Sequence, residues 1–529
     1  MGDSLQVLRA ALRTRVMKLP AFTQRLMMRT SHLAPFWAAY ATAYSVALFW
    51  LIVRIRKVPE ISALDLRLPL RSHCFGSSDL DLRAETVQLP AAEFFALCDR
   101  LSDVLLPSKP WRKIFDLYVF PSCEFELQKR LEHVGSEGRW IRLRGPKPAA
   151  DPAYPENRHA RLGKAISDYD FIGRKLLEDS LDIHSTRLIY KKTMEIHREF
   201  SARPHRSADL PGGFSAQVLE AAHGPSVKGR ARKASFDELA HAYAFATAEV
   251  STLCDESSME CIPDRGSQHL SFADSVVPET RDRAVASCKS AIAELCSSLG
   301  GTVRSAILGA VPGSSYEYRI HLIVREDLGL DAHLALSRTL RGLLSGPDSY
   351  RKIRPHYLRL RPPIVLTPSM WRTMHRWYNS LRPVEEYYFL KRHGVVLCGE
   401  DMRRDLREPS RADIMRSAVI AVADLRNRIW TALHLHQSRR LVDLVMGRVP
   451  TLWLLLADST VATSVGEAVS SCSESSFPHA SKLEELYRRL AGLDPQGLPP
   501  VTDLTWAPAL DSLTDWLDGL AEIATSASI

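Results

Sequence analysis

Residues 76–82 read Gly-Ser-Ser-Asp-Leu-Asp-Leu, and residues 115–117 read Phe-Asp-Leu. Asp79 and Asp81 are separated by one residue, so in a β-strand their side chains project from the same face. A neighbouring strand that carries Asp116 would bring a third carboxylate to that face. Three such groups repel one another unless a cation lies between them, and ligation by oxygen alone favours Mg²⁺. The sequence therefore predicts a magnesium site of the kind that serves phosphoryl chemistry.

The residues around these acids have the pattern of a strand, a helix and a second strand. Residues 79–85 alternate between polar and apolar side chains, as in a half-buried strand. Apolar residues recur at helical spacing over 91–106, and Pro107 ends that run. Residues 114–120 are rich in β-branched and aromatic side chains, which favour a strand. We expect a compact unit with acids on both strands.

These motifs resemble the nucleotidyltransferase superfamily typified by DNA polymerase β and the aminoglycoside nucleotidyltransferases, over roughly residues 58–146. The resemblance implies that Asp79, Asp81 and Asp116 are catalytic ligands of Mg²⁺. It also implies that a nucleoside triphosphate, ATP preferred, gives its nucleoside monophosphate to a hydroxyl acceptor. By the same resemblance, Gly76, Ser77 and Ser78 (residues 76–78) bind the nucleotide phosphates.

One spacing departs from the family pattern. The Gly-Ser pair of the family lies well ahead of the paired acids, whereas Ser77 lies only two residues ahead of Asp79. The alternative to an enzyme is therefore a non-catalytic interaction or scaffold protein on an inherited nucleotidyltransferase fold. A catalytic site needs the three carboxylates close together around a shared cation, and a scaffold does not. The chain has no P-loop, GxGxxG motif or nucleophile elbow.

The second half of the chain contains a weak repeat of the first. Trp-Arg-Lys-Ile at 111–114 recurs as Tyr-Arg-Lys-Ile at 350–353, an offset of 239. At that offset Tyr318, Ile320 and Pro355 replace the three acids, and Glu317 lies one residue out of register. We expect a degenerate copy that binds no metal pair; coincidental matching of short runs is the alternative.

Residues 387–406 also resemble a stretch that follows the catalytic domain in small-molecule nucleotidyltransferases. This stretch favours a small molecule as the acceptor, with an RNA end or a protein side chain as alternatives. The alternative, purely structural interpretation is a helix that ends at a glycine, a short strand and an acidic helix start. The resemblance depends on Leu390, Gly394, Leu397, Gly399, Glu400 and Asp401.

The expected fold class is α/β of the α+β type: a nucleotidyltransferase-like mixed sheet with flanking helices, a degenerate second copy and a helical C-terminal region. Pro, Gly, Ser and basic residues suggest a linker, and long apolar periodicities suggest the helices. The predicted division is N-terminal helices at 1–57, the catalytic domain with trailing helices at 58–200, a linker at 201–234, the degenerate repeat at 235–410 and the helical C-terminal domain at 411–529.

Composition is ordinary for a soluble globular protein of several domains. The chain has 529 residues, of which 25% are charged and 45% hydrophobic, with a formal net charge of +8. Nine cysteines are scattered without a CxxC pair and no evident signal peptide precedes them, so we expect free thiols and a cytoplasmic location. Basic residues cluster at 351–361, where nucleic-acid contact is an alternative to a solvated strand face.

One segment competes with the soluble interpretation. No charged residue occurs between Ala34 and Val53, and Arg54, Arg56 and Lys57 follow. That length would just span a bilayer. The segment is rich in Ala, Thr, Ser and Tyr, which lowers its hydrophobicity. The family that the chain resembles has a helix packed against the sheet immediately before the first strand, so a buried helix is preferred over a membrane span.

Overall fold

A computed structural model describes the fold. The described residues are 30, 34–67, 80–105, 115–122, 140–146, 158–177, 181, 183–201, 234–258, 271–272, 280–310, 317–345, 359–374, 381–407, 411–434, 437–462, 465–490, 498–500 and 506–526. The fold is a mixture of helices and sheets, in agreement with the predicted α+β class. The predicted linker at 201–234 lies almost entirely outside the described residues.

The first sheet contains four strands in the order β3-β2-β1-β4. Strand β1 is antiparallel to both β2 and β4, whereas β2 and β3 are parallel. The parallel pair is joined through a helix, as a parallel connection requires. The strands are β1 (Ile61–Arg67), β2 (Leu80–Thr86), β3 (Phe115–Pro121) and β4 (Trp140–Arg144).

Two helices cover one face of this sheet, which we call its back face. Helix α1 (Ala34–Ile55) precedes β1, and helix α2 (Ala91–Leu105) connects β2 to β3. Apolar residues at helical spacing form the contact, and they meet the strand residues that alternate onto the back face. The buried residues are Tyr44, Ala47, Leu51 and Ile55 of α1, Phe94, Leu97, Cys98 and Leu101 of α2, and Leu64, Leu66, Leu82, Ala84 and Val119 of the strands.

The second sheet has the same topology as the first. Its order is β8-β7-β6-β9, with β6 antiparallel to β7 and β9, and with β7 parallel to β8. Helix α6 precedes β6 and helix α7 connects β7 to β8, like α1 and α2 in the first sheet. These elements are α6 (Thr280–Ser298), β6 (Val303–Ala310), β7 (Glu317–Val324), α7 (Leu330–Ser345), β8 (Arg359–Leu366) and β9 (Val395–Gly399).

Even the strand irregularities recur. A register shift between Ile61 and Ala63 of β1 has a counterpart between Val303 and Ser305 of β6. A second shift, on the β4 side of β1, has its counterpart on the β9 side of β6. The repeat predicted from the sequence therefore corresponds to two sheets of one topology.

The structure corrects the register of that repeat. In β1 and β6 the irregularities match at an offset of 242, and Thr86 of β2 then corresponds to Val324 of β7. Positions 79 and 81 thus correspond to Glu317 and Arg319, not to Tyr318 and Ile320. Through its pairing with β7, Arg361 of β8 corresponds to Asp116, and the predicted equivalence with Pro355 is wrong.

Three helices follow the first sheet and precede the second sheet along the chain. They pack against one another and against the second sheet. They are α3 (Arg158–Leu177), α4 (Ile183–Ser201) and α5 (Phe236–Ser258). Helix α3 contacts β8, and the Tyr169 hydroxyl donates to the Val365 carbonyl at 2.5 Å. Two further helices, α8 (Pro368–Thr373) and α9 (Leu381–His393), lie between β8 and β9 in the chain.

The described part of the C-terminal region is mainly helical. Helices α10 (Arg411–His434) and α15 (Ala507–Ser526) both contact α2 beside the first sheet, and α10 also contacts β3. A two-stranded pair joins Ser271–Phe272 (β5) to Thr460–Val461 (β10). The other helices are α11 (Ser438–Val442), continued by a π-helical turn, α12 (Val449–Asp458), α13 (Val465–Glu474) and α14 (Ala480–Leu490).

Two sequence predictions need correction. Cys296 of α6 and Cys398 of β9 form a disulfide, so the expectation of free thiols fails for this pair, although Cys98, Cys254, Cys288 and Cys472 form no disulfide. Neither cysteine lies in a recognisable spacing motif. The packing of α6 on β9 brings them together, and the sequence alone does not show that packing. The second correction is one of degree: α1 packs on the first sheet, as the buried-helix interpretation expects, but only 22% of residues 38–55 is buried.

Candidate functional site

The candidate site lies on the face of the first sheet opposite α1 and α2, which we call the front face. Strand alternation assigns Asp81, Arg83 and Glu85 of β2 to it, because the intervening Leu82 and Ala84 are buried at the back. Tyr118 of β3 pairs with Arg83 and is 36% exposed. Asp81 is partly exposed as well. The front face therefore combines acidic, basic and aromatic residues with access to solvent.

Two of the three predicted acids occupy neighbouring positions. In the parallel β2–β3 ladder Asp81 pairs directly with Asp116, so alternation assigns both positions to the front face. Asp79 would belong to the same face of β2, two residues earlier, but it lies outside the described residues. Gly76, Ser77 and Ser78 also lie outside them, so their role in phosphate binding stays a prediction.

A buried ion cluster adjoins the acidic pair on the front face. Asp65 of β1 accepts from Nε of Arg83 at 3.1 Å and from Nε of Arg142 of β4 at 2.5 Å. The side chains of Asp65 and Arg83 are almost completely buried. One buried carboxylate thus joins two guanidinium groups from neighbouring strands, and this cluster lies beside Asp81 on the front face.

The edge of the sheet is held by a side chain from the C-terminal region. The amide nitrogen of Asn427 in α10 donates to the Val119 carbonyl at 2.7 Å, and the Val119 N–H donates to Oδ1 of Asn427 at 3.3 Å. The amide therefore pairs with the edge of β3 as another strand would. Because Val119 lies three residues after Asp116, this contact positions the strand that carries the third acid.

The corresponding face of the second sheet has the opposite charge. Arg319 and Arg361 stand where the first sheet has Asp81 and Asp116. Arg319 is almost completely buried and forms an ion pair with Asp170 of α3. Helix α9 also lies on this face, since a Cβ on Gly309 of β6 would meet the Leu390 side chain at 2.7 Å. This face is filled by protein.

A second buried pair lies on the same face of the second sheet. Nε2 of His321 lies 3.3 Å from Oε1 of Glu386 in α9, and the rings of Trp371 and Tyr387 surround the imidazole. Burial alone would raise the pKa of Glu386, but the contact with His321 and the charges of Arg319, His321 and Arg361 lower it to about 2. The second sheet thus holds its charges in internal pairs.

Among the described side chains, no group of three or more His, Cys, Asp and Glu residues is arranged to hold a metal ion. Asp79 and the side chain of Asp116 are outside that set. What the described residues contribute is a pair of adjacent acidic positions on parallel strands. Oxygen donors in such a pair fit Mg²⁺, which commonly binds through one or two carboxylates and completes its shell with water and substrate phosphates.

Comparison of the chain with models of protein families, with curated proteins and with solved structures gives no match. The assignment of a function therefore depends on the geometry of the site and on the motif resemblance.

Several functional features were not predicted from the sequence. Strands β1 and β4 were missed, and with them the cluster of Asp65, Arg83 and Arg142. The available signal was weak: Asp65 interrupts a short apolar run, and its partners lie 18 and 77 residues away. Asn427 gives no signal at all, because an asparagine within a long helix looks like any solvated polar residue.

Proposed function

We propose that the front face of the first sheet is the site of a Mg²⁺-dependent nucleotidyltransferase. The enzyme would transfer a nucleoside monophosphate from a nucleoside triphosphate, ATP preferred, to a hydroxyl group of a small molecule. The observation that carries the proposal is the direct pairing of Asp81 with Asp116 on parallel strands. Carboxylate oxygens at two adjacent positions of a partly exposed face are donors of the kind that Mg²⁺ prefers.

The proposed reaction is an in-line displacement at the α-phosphorus. The acceptor oxygen forms a bond to phosphorus and gives up its proton to solvent, while the bond to the bridging oxygen breaks and pyrophosphate leaves. Bound Mg²⁺ would neutralise the triphosphate and stabilise the entering and leaving oxygens. Asp81 and Asp116 would hold the metal at the sheet edge of β2 and β3. Arg83 and Arg142 of the neighbouring cluster would lie beside the phosphates of the nucleotide.

The contrast between the two sheets supports one site rather than two. At the positions of the acidic pair the second sheet has Arg319 and Arg361, and Asp170 of α3 pairs with Arg319 inside the protein. A guanidinium group cannot bind a cation. The second sheet would then act as a scaffold that carries α3 and α9.

The second candidate is a protein in which neither sheet is catalytic. Two observations favour it. Ser77 lies only two residues ahead of Asp79 in the sequence, unlike the family pattern. The second sheet of this chain has the same topology, and its corresponding face is filled by protein. In this interpretation Asp81 and Asp116 are remnants of an ancestral site.

Titration calorimetry with each nucleoside triphosphate, with and without Mg²⁺, separates the two candidates. We expect Mg²⁺-dependent binding by the wild type and at least about tenfold weaker binding after Asp81→Asn or Asp116→Asn, because changes to groups that merely support metal ligands already cost that much. Neither change should unfold the protein, since it removes repulsion between carboxylates.

Glu85→Gln is the matched control, because Glu85 belongs to the same strand and the same face but lies four residues from Asp81. It should bind nucleotide as the wild type does. A wild type that binds none of the nucleotides, or an Asp81→Asn variant that binds them unchanged, would establish the scaffold interpretation.

A further inference from the structure

Helix α1 has apolar residues on two opposite sides. Tyr44, Ala47, Leu51 and Ile55 are buried against the first sheet. Val46, Phe49 and Val53 recur at the same spacing about half a turn away, and they are 60%, 70% and 36% exposed. We call these three residues the outer stripe. A helix that is apolar on all sides is normally buried on all sides, so the outer stripe calls for a partner.

The composition of α1 identifies the chemistry of that partner. No charged residue occurs from Ala34 to Val53, and the helix of 22 residues is about 33 Å long at 1.5 Å per residue. Because no charged residue interrupts this segment, the outer stripe can enter the apolar part of a bilayer without burying a charge. Two exposed aromatic side chains of α1, Phe36 and Phe49, add to this apolar surface.

The charged residues on both sides of the uncharged segment are mostly basic. Arg54, Arg56 and Lys57 are exposed at the C-terminal end of α1. Residues 1–33 contain six basic residues and a single acidic one, Asp3. Basic residues next to an apolar helix complement the negative surface of an anionic bilayer. A protein partner would explain the apolar stripe equally well, but it would not explain the flanking positive charge.

We propose that α1 binds the chain to an anionic lipid bilayer through the outer stripe, with the flanking basic residues against the lipid headgroups. The opposite side of the helix stays in the core of the first sheet, so α1 lies along the membrane surface. The first sheet then covers the side of α1 that faces away from the membrane, where an ordinary amphipathic helix has polar residues in contact with water. This binding is independent of the proposed nucleotidyl transfer.

The test is cosedimentation of the full chain with vesicles of phosphatidylcholine, with and without phosphatidylserine. We expect the wild type to sediment with the mixed vesicles and to bind pure phosphatidylcholine more weakly. The triple variant Val46→Ser/Phe49→Ser/Val53→Ser should bind at least tenfold more weakly to the mixed vesicles. Arg56→Gln/Lys57→Gln should reduce the preference for phosphatidylserine.

The matched control is Val87→Ser/Leu330→Ser, which removes two exposed apolar side chains from other surfaces and should leave binding unchanged. Near-ultraviolet circular dichroism verifies that each variant is folded. A wild type that sediments with neither vesicle, or a folded triple variant that sediments as the wild type does, would overturn the proposal. A dimer that the triple variant loses, without vesicle binding, would assign the stripe to a second copy of the chain.

Discussion

At the scale of single residues, the sign of one charge separates the two sheets. Asp81 and Arg319 stand at equivalent positions of sheets with the same order, directions and irregularities. Arg319 has its counter-ion, Asp170, within the chain. The equivalent position of the first sheet is an acid on a partly exposed face, and under the proposed function that acid would be a ligand of Mg²⁺.

A buried histidine gives a prediction at the same scale. Burial lowers the pKa of His333 in α7 from 6.5 to about 4, and its Nε2 lies 3.1 Å from the hydroxyl of Thr247. The folded chain excludes the proton that the unfolded chain binds below pH 6.5. Stability contributed by neutral His333 is thus complete above pH 6.5 and is lost as the pH falls to 4. The loss amounts to about 3 kcal/mol, from 1.36 kcal/mol per pKa unit.

His333→Gln tests this linkage, because glutamine can keep a hydrogen bond to Thr247 and does not titrate. Urea unfolding at pH 7, 6, 5 and 4 should show a steeper decline in the free energy of unfolding for the wild type than for the variant. Parallel curves for the two proteins would show that His333 does not contribute to the acid sensitivity.

At the scale of secondary structure, elements with strong local patterns agree with their predictions. The predicted helix 91–106 is observed as Ala91–Leu105, and the predicted strands 79–85 and 114–120 as Leu80–Thr86 and Phe115–Pro121. The predicted helix, short strand and acidic start within 387–406 are observed too: α9 ends at His393, β9 follows, and Asp401 caps a 3₁₀ turn. The resemblance of this stretch to nucleotidyltransferases stays a prediction. In each case the residues that specify the element lie within it.

Elements specified by distant residues were missed. Strand β1 is central to the first sheet, yet its Asp65 is stabilised by Arg83 and Arg142 from two other strands. A one-dimensional pattern shows only an acid in an apolar run. The register of the repeat failed for a related reason: the offset is 242 in β1 and 238 in β2, so a single offset cannot align both strands. The strand positions of Asp81 and Asp116 could be predicted because strand alternation is a local pattern. Their role as metal ligands stays a prediction.

The edge of β3 supports a prediction at the scale of elements. Asn427→Leu keeps the approximate size of the side chain but removes both hydrogen bonds to Val119. Two buried backbone groups would lose their partner, which should destabilise the fold by about 2 to 4 kcal/mol. Because β3 also carries Asp116, the folded variant should bind Mg²⁺ and nucleotide more weakly than the wild type.

Denaturant unfolding and calorimetry together test this role. Thr431→Val removes a hydroxyl one turn further along α10, which donates to the Asn427 carbonyl, and should leave nucleotide binding unchanged. If Asn427→Leu lowers stability but binds nucleotide as the wild type does, Asn427 stabilises the sheet without positioning the site.

At the scale of the whole molecule, the two sheets have separate cores and shared helices. The first sheet packs with α1 and α2 in a small apolar cluster, and the second sheet shares a much larger cluster with α3 and the C-terminal helices. Helix α10 belongs to the large cluster and yet contacts β3 and α2. The candidate site therefore lies on the smaller core, supported through α10 by the larger one.

The ion pair between Asp170 and Arg319 is a point where the segment before the predicted linker is fixed to the second sheet. Asp170→Asn would leave the buried guanidinium of Arg319 without this carboxylate. Removing one partner of a buried ion pair costs about 3 to 5 kcal/mol, so the midpoint of denaturant unfolding should fall strongly. Asp237→Asn, which breaks the exposed pair with Arg338 between α5 and α7, is the control and should change it little.

The double variant Asp170→Leu/Arg319→Met distinguishes a loss of charge compensation from a loss of packing. Replacing both partners of a buried pair with apolar residues is often neutral, so this variant should recover most of the stability that Asp170→Asn loses. Its nucleotide binding should equal that of the wild type, because neither residue belongs to the front face of the first sheet. Recovered stability with lost nucleotide binding would instead place the nucleotide at the second sheet and refute the assignment of Arg319 to a structural role.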